Sequence, residues 1–252
     1  MITWRAFLVF RRNILVFKKT WLTNIAFNFI EPILYLGAMG YGLGRLVQDI
    51  EGMSYIQFIA PGIIASSAMW ATAAECTYDS FVRMNHQKIY HAIVATPINL
   101  DEVVVGELLF GAFKSVLYGT VILAVIWIFG LVQSPWALLV PVALIPAGLV
   151  VAELGMMWTG LVPNMDSFSY FFTLVITPMF LFSGVFFPVS GLGELPARIA
   201  ASLPLYHTVS IIRSLVTGDI SRALFVNLTW LLAYNFFFFW PPIYLMKKRL
   251  IG

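Results

Sequence analysis

Six long apolar runs govern what this chain can become. They cover residues 21–44, 55–78, 103–131, 136–162, 168–188 and 224–246. Each reaches the about 20 residues that a helix needs to cross bilayer hydrocarbon. The runs are continuous rather than alternating, and lipid-exposed backbone has to be satisfied within helices or a closed barrel. The pattern therefore predicts an all-α membrane protein with six transmembrane helices. Composition agrees: 60% of residues are hydrophobic and 11% charged, against about 45–50% and about 25% in soluble domains. The runs use most of the 252 residues, so 1–252 reads as a single transmembrane domain.

Charge orients the spans. Arg5, Arg11, Arg12, Lys18 and Lys19 precede the first run, and Lys247, Lys248 and Arg249 follow the last. Such clusters stay cytoplasmic, so both termini are expected inside. Arg83, His86, Lys88 and His91 place the stretch after the second run inside as well. In the expected outside regions Arg45, Arg198, Arg213 and Arg222 are balanced by Asp49, Glu51, Glu194 and Asp219. A formal net charge of +3 gives no support for a nucleic-acid partner. Cys76 is the only cysteine, which excludes an intramolecular disulfide. Arg11-Arg12 does not read as an export signal, because the apolar run behind it is too long and more spans follow.

Three segments do not span. Residues 1–20 form an amphipathic pattern at 4–19, with the five basic residues on one side and Phe7, Phe10, Ile14 and Phe17 on the other. They read as a helix in the membrane interface or as a basic leader that sets topology. Residues 81–99 hold a second pattern over 81–95, with Phe81, Val82, Ile89, Ala92 and Ile93 opposite Arg83, Gln87, Lys88, Tyr90 and His91. Thr96-Pro97 ends it and Asn99 is placed to cap the next helix. This is either a docking element for a soluble partner or a surface loop. Residues 190–217 contain two short helix-like stretches, 194–202 and 205–216, split at Leu203-Pro204. They are expected to form a re-entrant hairpin from outside or to lie flat on the outer surface.

Familiar catalytic chemistry is missing. There is no GxxxxGK[ST] phosphate loop and no HExxH, so the chain does not hydrolyse ATP by the familiar route. No metal-ligand cluster or other cofactor site is legible, since His86 and His91 lie about 140° apart on a helix. Intramembrane ionisable residues are Glu31, Glu75, Asp79, Glu107, Lys114 and Glu153. Such groups are costly in lipid and face a bundle interior or water. Glu31, Glu75 and Glu153, with His207 and Arg213 near the hairpin, are candidates for a pathway or gate. The alternative is inter-helix bonding. Glu107 and Lys114 share a face but are too far apart for a direct pair. Aromatics crowd the last two runs and suit either a lipid belt or a path for sugars and acyl chains.

Four local motifs, in order, carry a resemblance. They are Ile56-Gln57-Phe58-Ile59-Ala60-Pro61-Gly62; Ala95-Thr96-Pro97-Ile98 with Val105-Gly106-Glu107; Phe182-Ser183-Gly184-Val185-Phe186-Phe187-Pro188; and Leu203-Pro204-Leu205-Tyr206-His207-Thr208 with Arg213. Over essentially its whole length the chain resembles the membrane subunit of type-2 ABC exporters, and within them the NodJ-type permeases. The resemblance implies a homodimer working with two separate ATPase subunits that bind the ATP. It makes residues 81–99 the coupling helix region, with Arg83, Gln87, Lys88, Tyr90 and His91 facing the ATPase, where changes to Arg83 or Tyr90 would uncouple export without harming the fold. It implies a bacterial inner membrane location and an amphipathic substrate: a glycolipid, lipid-linked polysaccharide or lipo-oligosaccharide, or alternatively a hydrophobic drug. Two other classes stay open. One is an ion-coupled transporter without an ATPase, using Glu31, Glu75 and Glu153 as a relay. The other is an intramembrane enzyme acting on lipid-linked sugars.

Overall fold

The computed structural model describes residues 2–47, 49, 50 and 52–250, leaving out the side chains of residues 22–29, 31, 41, 45, 190 and 192. Among the described residues, regular structure is helical apart from one bridge between Ile50 and Met53. The helices are α1 (Arg5–Tyr35), α2 (Tyr55–His86), α3 (Ile89–Val94), α4 (Leu100–Ile128), α5 (Pro135–Leu161), α6 (Phe168–Phe182), α7 (Glu194–Ala201), α8 (Pro204–Thr217) and α9 (Arg222–Leu250). Among them α2, α4, α5 and α9 are long and apolar enough to cross a membrane. The bent pair α7 and α8, meeting at 86°, adds a fifth if it counts as one span. Their outward faces carry bare apolar side chains such as Ile128, Leu138 and Phe236, which suit lipid rather than water.

Helix α4 is the hub, packed on α1, α2 and α5. Its start is set by a capping box in which Asn99 and Glu102 satisfy each other's backbone, as Asn99 was expected to do. Small residues let neighbours approach. A Cβ at Gly106 would lie 2.6 Å from Val9 Cβ, so α1 lies directly on α4 there. Both chain ends gather at this end of the bundle. Thr3 donates to Glu102, and Lys247 Nζ pairs with Asp101 Oδ1 at 2.6 Å. Arg249 donates to the carbonyls of Thr159 and Val162 that end α5. One apolar cluster, including Val9, Tyr90, Met156 and Phe168, fills this end, and a larger one built on Phe58, Met69, Leu144 and Ile212 fills the rest.

The structure corrects three expectations and adds detail to a fourth. First, the amphipathic segment 4–19 is not a separate helix but the first half of a continuous 31-residue α1. No glycine or proline interrupts residues 5–31. Its buried line is Ala6, Val9, Asn13 and Phe17; it keeps the expected Phe17 but replaces Phe7, Phe10 and Ile14 by their preceding residues, because Gly106 admits Val9 and Glu107 draws in Asn13. Phe7 is 56% exposed.

Second, 81–95 is not one helix. Helix α2 runs on to His86, Lys88 turns the chain at φ +55°, and α3 begins at Ile89. Third, the expected span 168–188 stops at Phe182, where Gly184 takes φ +75°. A positive φ is easy for glycine and ends the helix. At Phe168–Phe182, α6 falls short of the about 20 residues of a simple crossing. Fourth, the hairpin helices are unlike each other. Helix α8 is inserted among α2, α5 and α9 with Leu205, His207, Val209 and Ile212 buried. Helix α7 leaves Leu195 and Ile199 exposed.

Candidate functional site

The largest group of buried charges sits near the end of the bundle that holds both termini. Helix α2 widens into π-type turns over Glu75–Asp79 and Val82–His86, a deviation that often marks functional positions. Helical side chains lean toward the N-terminus, so Arg83 reaches back along α2. Its Nη1 lies 2.7 Å from Glu75 Oε1 and its Nη2 2.5 Å from Glu107 Oε2 on α4. The other Glu75 oxygen pairs with Lys114 Nζ at 3.1 Å, two turns along α4 from Glu107. Asn13 Nδ2 of α1 donates to Glu107 Oε1 at 2.9 Å, and Arg12 in turn donates to Asn13.

The result is a chain of alternating charge, Glu107–Arg83–Glu75–Lys114, with two acids against two bases. Glu75 and Glu107 are only 3% and 1% exposed. Buried charges persist only when paired and hydrogen-bonded, and each member here has at least one partner. Lys114 also sits 4.8 Å from the Phe17 ring centroid and 5.6 Å from that of Tyr118, a favourable seat for a cation. Beside the chain lies a cavity of about 220 Å3, lined also by Arg12, Asp79 and Gln87. The network ties α1, α2 and α4 together immediately before the Lys88 turn. It forms a charge lock across three helices.

The expected docking residues divide. Gln87, Lys88 and His91 are exposed around the turn. Arg83 and Tyr90 turn inward instead. Tyr90 is 0% exposed and its hydroxyl lies 2.5 Å from Ser80 Oγ. Burial and the nearby Glu107 charge push its phenol well above the usual tyrosine range. The polar face drawn over 81–95 fails at these two positions because the Lys88 turn folds α3 back onto α2.

Of the gate candidates whose side chains are described, only Glu75 joins the lock. Glu153 is buried on α5, and its Oε2 has no hydrogen-bond partner among the described residues. The Glu31 side chain lies outside the described ones. His207 is held between Asn227 Oδ1 at 2.7 Å and Ala201 O at 2.9 Å, stacked on Trp230. Arg213 lies at the opposite end of the bundle, donating to Phe58 O and Gly184 O. Sequence reasoning left Glu107 and Lys114 as an unpaired couple. The structure bridges them through two residues of α2, and it adds Asn13. The one usable signal was that α2 and α4 each carry both signs of charge in apolar surroundings.

A second feature runs along α6 and the middle of α2. Tyr78 stacks on Phe172 at 5.5 Å and Phe172 on Trp70 at 5.5 Å. Trp70, Phe180, Phe186 and Tyr35 continue the contacts toward the far end. No cluster of three metal-ligating side chains occurs among the described residues.

Known proteins place this architecture. The family described as ABC-2 type transporter matches residues 5–217. Nodulation protein J of Rhizobium leguminosarum bv. viciae is 39% identical over 96% of this chain and 94% of its own. Nodulation protein J of Rhizobium meliloti strain 1021 is 35% identical over 98% and 95%. The inner membrane transport permease YadH of Escherichia coli strain K12 is 22% identical over 80% and 78%. With a family match across most of its length and relatives above 30% identity end to end, the chain belongs to the ABC-2 type transporters.

Proposed function

We propose that this chain is the membrane-spanning permease, a single domain, of an ATP-driven exporter. It works as a homodimer with two separate ATPase subunits, binds no cofactor itself and sits in a bacterial inner membrane with both termini inside. Six crossings follow if α1 and α6 each complete one beside the four long helices, with α7 and α8 forming a re-entrant pair. The substrate in this reading is an amphipathic saccharide-lipid of the lipo-oligosaccharide or lipid-linked polysaccharide type, as the resemblance carried by the four sequence motifs implies. Hydrophobic drug efflux is the rival within the same mechanism.

One observation carries the coupling half of this reading. The turn that exposes Gln87, Lys88 and His91 is joined, through Arg83, to buried acids on two helices. A push on that turn by a closing ATPase is transmitted to α1, α2 and α4 together. ATP binding then shifts the population between two packings by making better contacts with one of them. The aromatic run from Tyr78 to Phe186 offers flat apolar faces on which sugar rings and acyl chains can slide. An ion-coupled relay through Glu31, Glu75 and Glu153 fits less well, since Glu75 is held by two cations.

The test is co-purification. The tagged chain, extracted in detergent from its own host, should bring down an ATPase that carries a phosphate-binding loop. Replacement of Gln87, Lys88 and His91 by Ala should reduce the amount recovered. Recovery of the chain without any ATPase across mild detergents would overturn the reading.

A further inference from the structure

The end of the bundle opposite the termini holds a small polar cavity that the coupling network does not reach. It encloses about 160 Å3 beside the break after α6 and is lined by Ser183, Tyr206, Ser210 and Arg213 over Phe58. Arg213 is fixed in place. Its Nη2 donates to Phe58 O at 3.2 Å and to Gly184 O at 2.8 Å, and its guanidinium carbon lies 4.0 Å from the Phe58 ring centroid.

The hydroxyls are arranged to donate. Asn227 Nδ2 donates to Ser210 Oγ at 2.8 Å, which leaves the Ser210 hydrogen to point elsewhere. Ser183 is 0% exposed, and its Oγ has no hydrogen-bond partner among the described residues. A buried hydroxyl without a partner is costly, and such a group calls for an explanation. Here it borders a cavity whose lining also includes Arg213, Tyr206 and Ser210.

We propose that this cavity is a binding site for a phosphate-class oxyanion carried on a lipid. The lining offers the Arg213 guanidinium together with serine and tyrosine side chains, a set of donors complementary to an acceptor-rich anion. The volume accommodates a phosphate ester together with the first atoms of its carrier. Its position at the far end admits a headgroup from the opposite leaflet or the phosphorylated head of an emerging cargo. The site is independent of how the ATPase is coupled.

Native mass spectrometry of the purified chain tests it, with phosphatidic acid as probe and diacylglycerol of the same chains as control. The wild-type chain should retain phosphatidic acid at least tenfold more strongly. Ser183→Ala should weaken retention about tenfold, the worth of one hydrogen bond to a charged acceptor, while its unfolding temperature stays at the parent value because the hydroxyl makes no bond in the protein. Tyr206→Phe should act in the same direction. Glucose 1-phosphate as competitor separates the sources. Displacement of the lipid identifies a site that takes a sugar phosphate head, and failure to displace identifies one that needs the lipid anchor. Equal retention of phosphatidic acid and diacylglycerol, or unchanged retention in Ser183→Ala, would overturn the proposal.

Discussion

Arg83→Gln is the most informative single change, because the guanidinium stands between two acids that water barely reaches. In the parent, Glu107 is 1% exposed and holds Arg83 Nη2 and Asn13 Nδ2; Glu75 is 3% exposed and holds Arg83 Nη1 and Lys114 Nζ. Without Arg83, Glu75 keeps a cation but Glu107 keeps only a neutral amide. Removing one partner of a buried pair costs about 3–5 kcal/mol, because the other charge is left stranded. The loss should appear as a lower thermal midpoint in detergent, followed by tryptophan fluorescence. Arg83→Gln/Glu107→Gln removes the stranded charge while residue 107 still accepts from Asn13. It should recover about 2 kcal/mol or more of the loss, a coupling expected only between residues in direct contact. The reasoning fails if Arg83→Gln lies within about 1 kcal/mol of the parent, or if the double variant is no more stable than the single one.

Two further outcomes follow from the geometry. Gly106→Val drives a side chain into Val9 and the Ala6 carbonyl, so it should destabilise by about 1–3 kcal/mol and increase protease cleavage within residues 5–20. Replacing the exposed Gln87, Lys88 and His91 by Ala should leave stability within about 0.5 kcal/mol per residue of the parent yet lower ATPase recovery; equal recovery would remove the turn from the docking surface.

Much of the fold was legible because hydropathy alone separates lipid-facing helices from loops. Helices α2, α4, α5 and α9 fall where the apolar runs placed them. Asn99 caps α4 because its amide suits an N-terminus, a local fact that needs no neighbours. The failures at the site depend on partners in space. Tyr90 was placed on the polar face for its hydroxyl, but that hydroxyl meets Ser80 inside the bundle. Arg83 was read as a surface group whose loss would spare the fold, and it is the centre of a buried network instead. Glu107 and Lys114, seven residues apart, stand about 10 Å apart along a helix. Their connection exists only because α2 delivers Arg83 and Glu75 between them. The Lys88 turn carries neither glycine nor proline, so nothing local announces a positive φ.

Under the proposed function, transport needs a partner's ATP hydrolysis, transmitted through the turn that exposes Gln87, Lys88 and His91. Reconstitution into sealed vesicles tests it directly, with a fluorescent lipo-oligosaccharide supplied on the side of the chain's termini. The chain together with its co-purified ATPase should move the lipid to the far side only when ATP is present, and vanadate should stop it. Transport by the chain alone under a pH gradient, unaffected by ATP, would contradict the account.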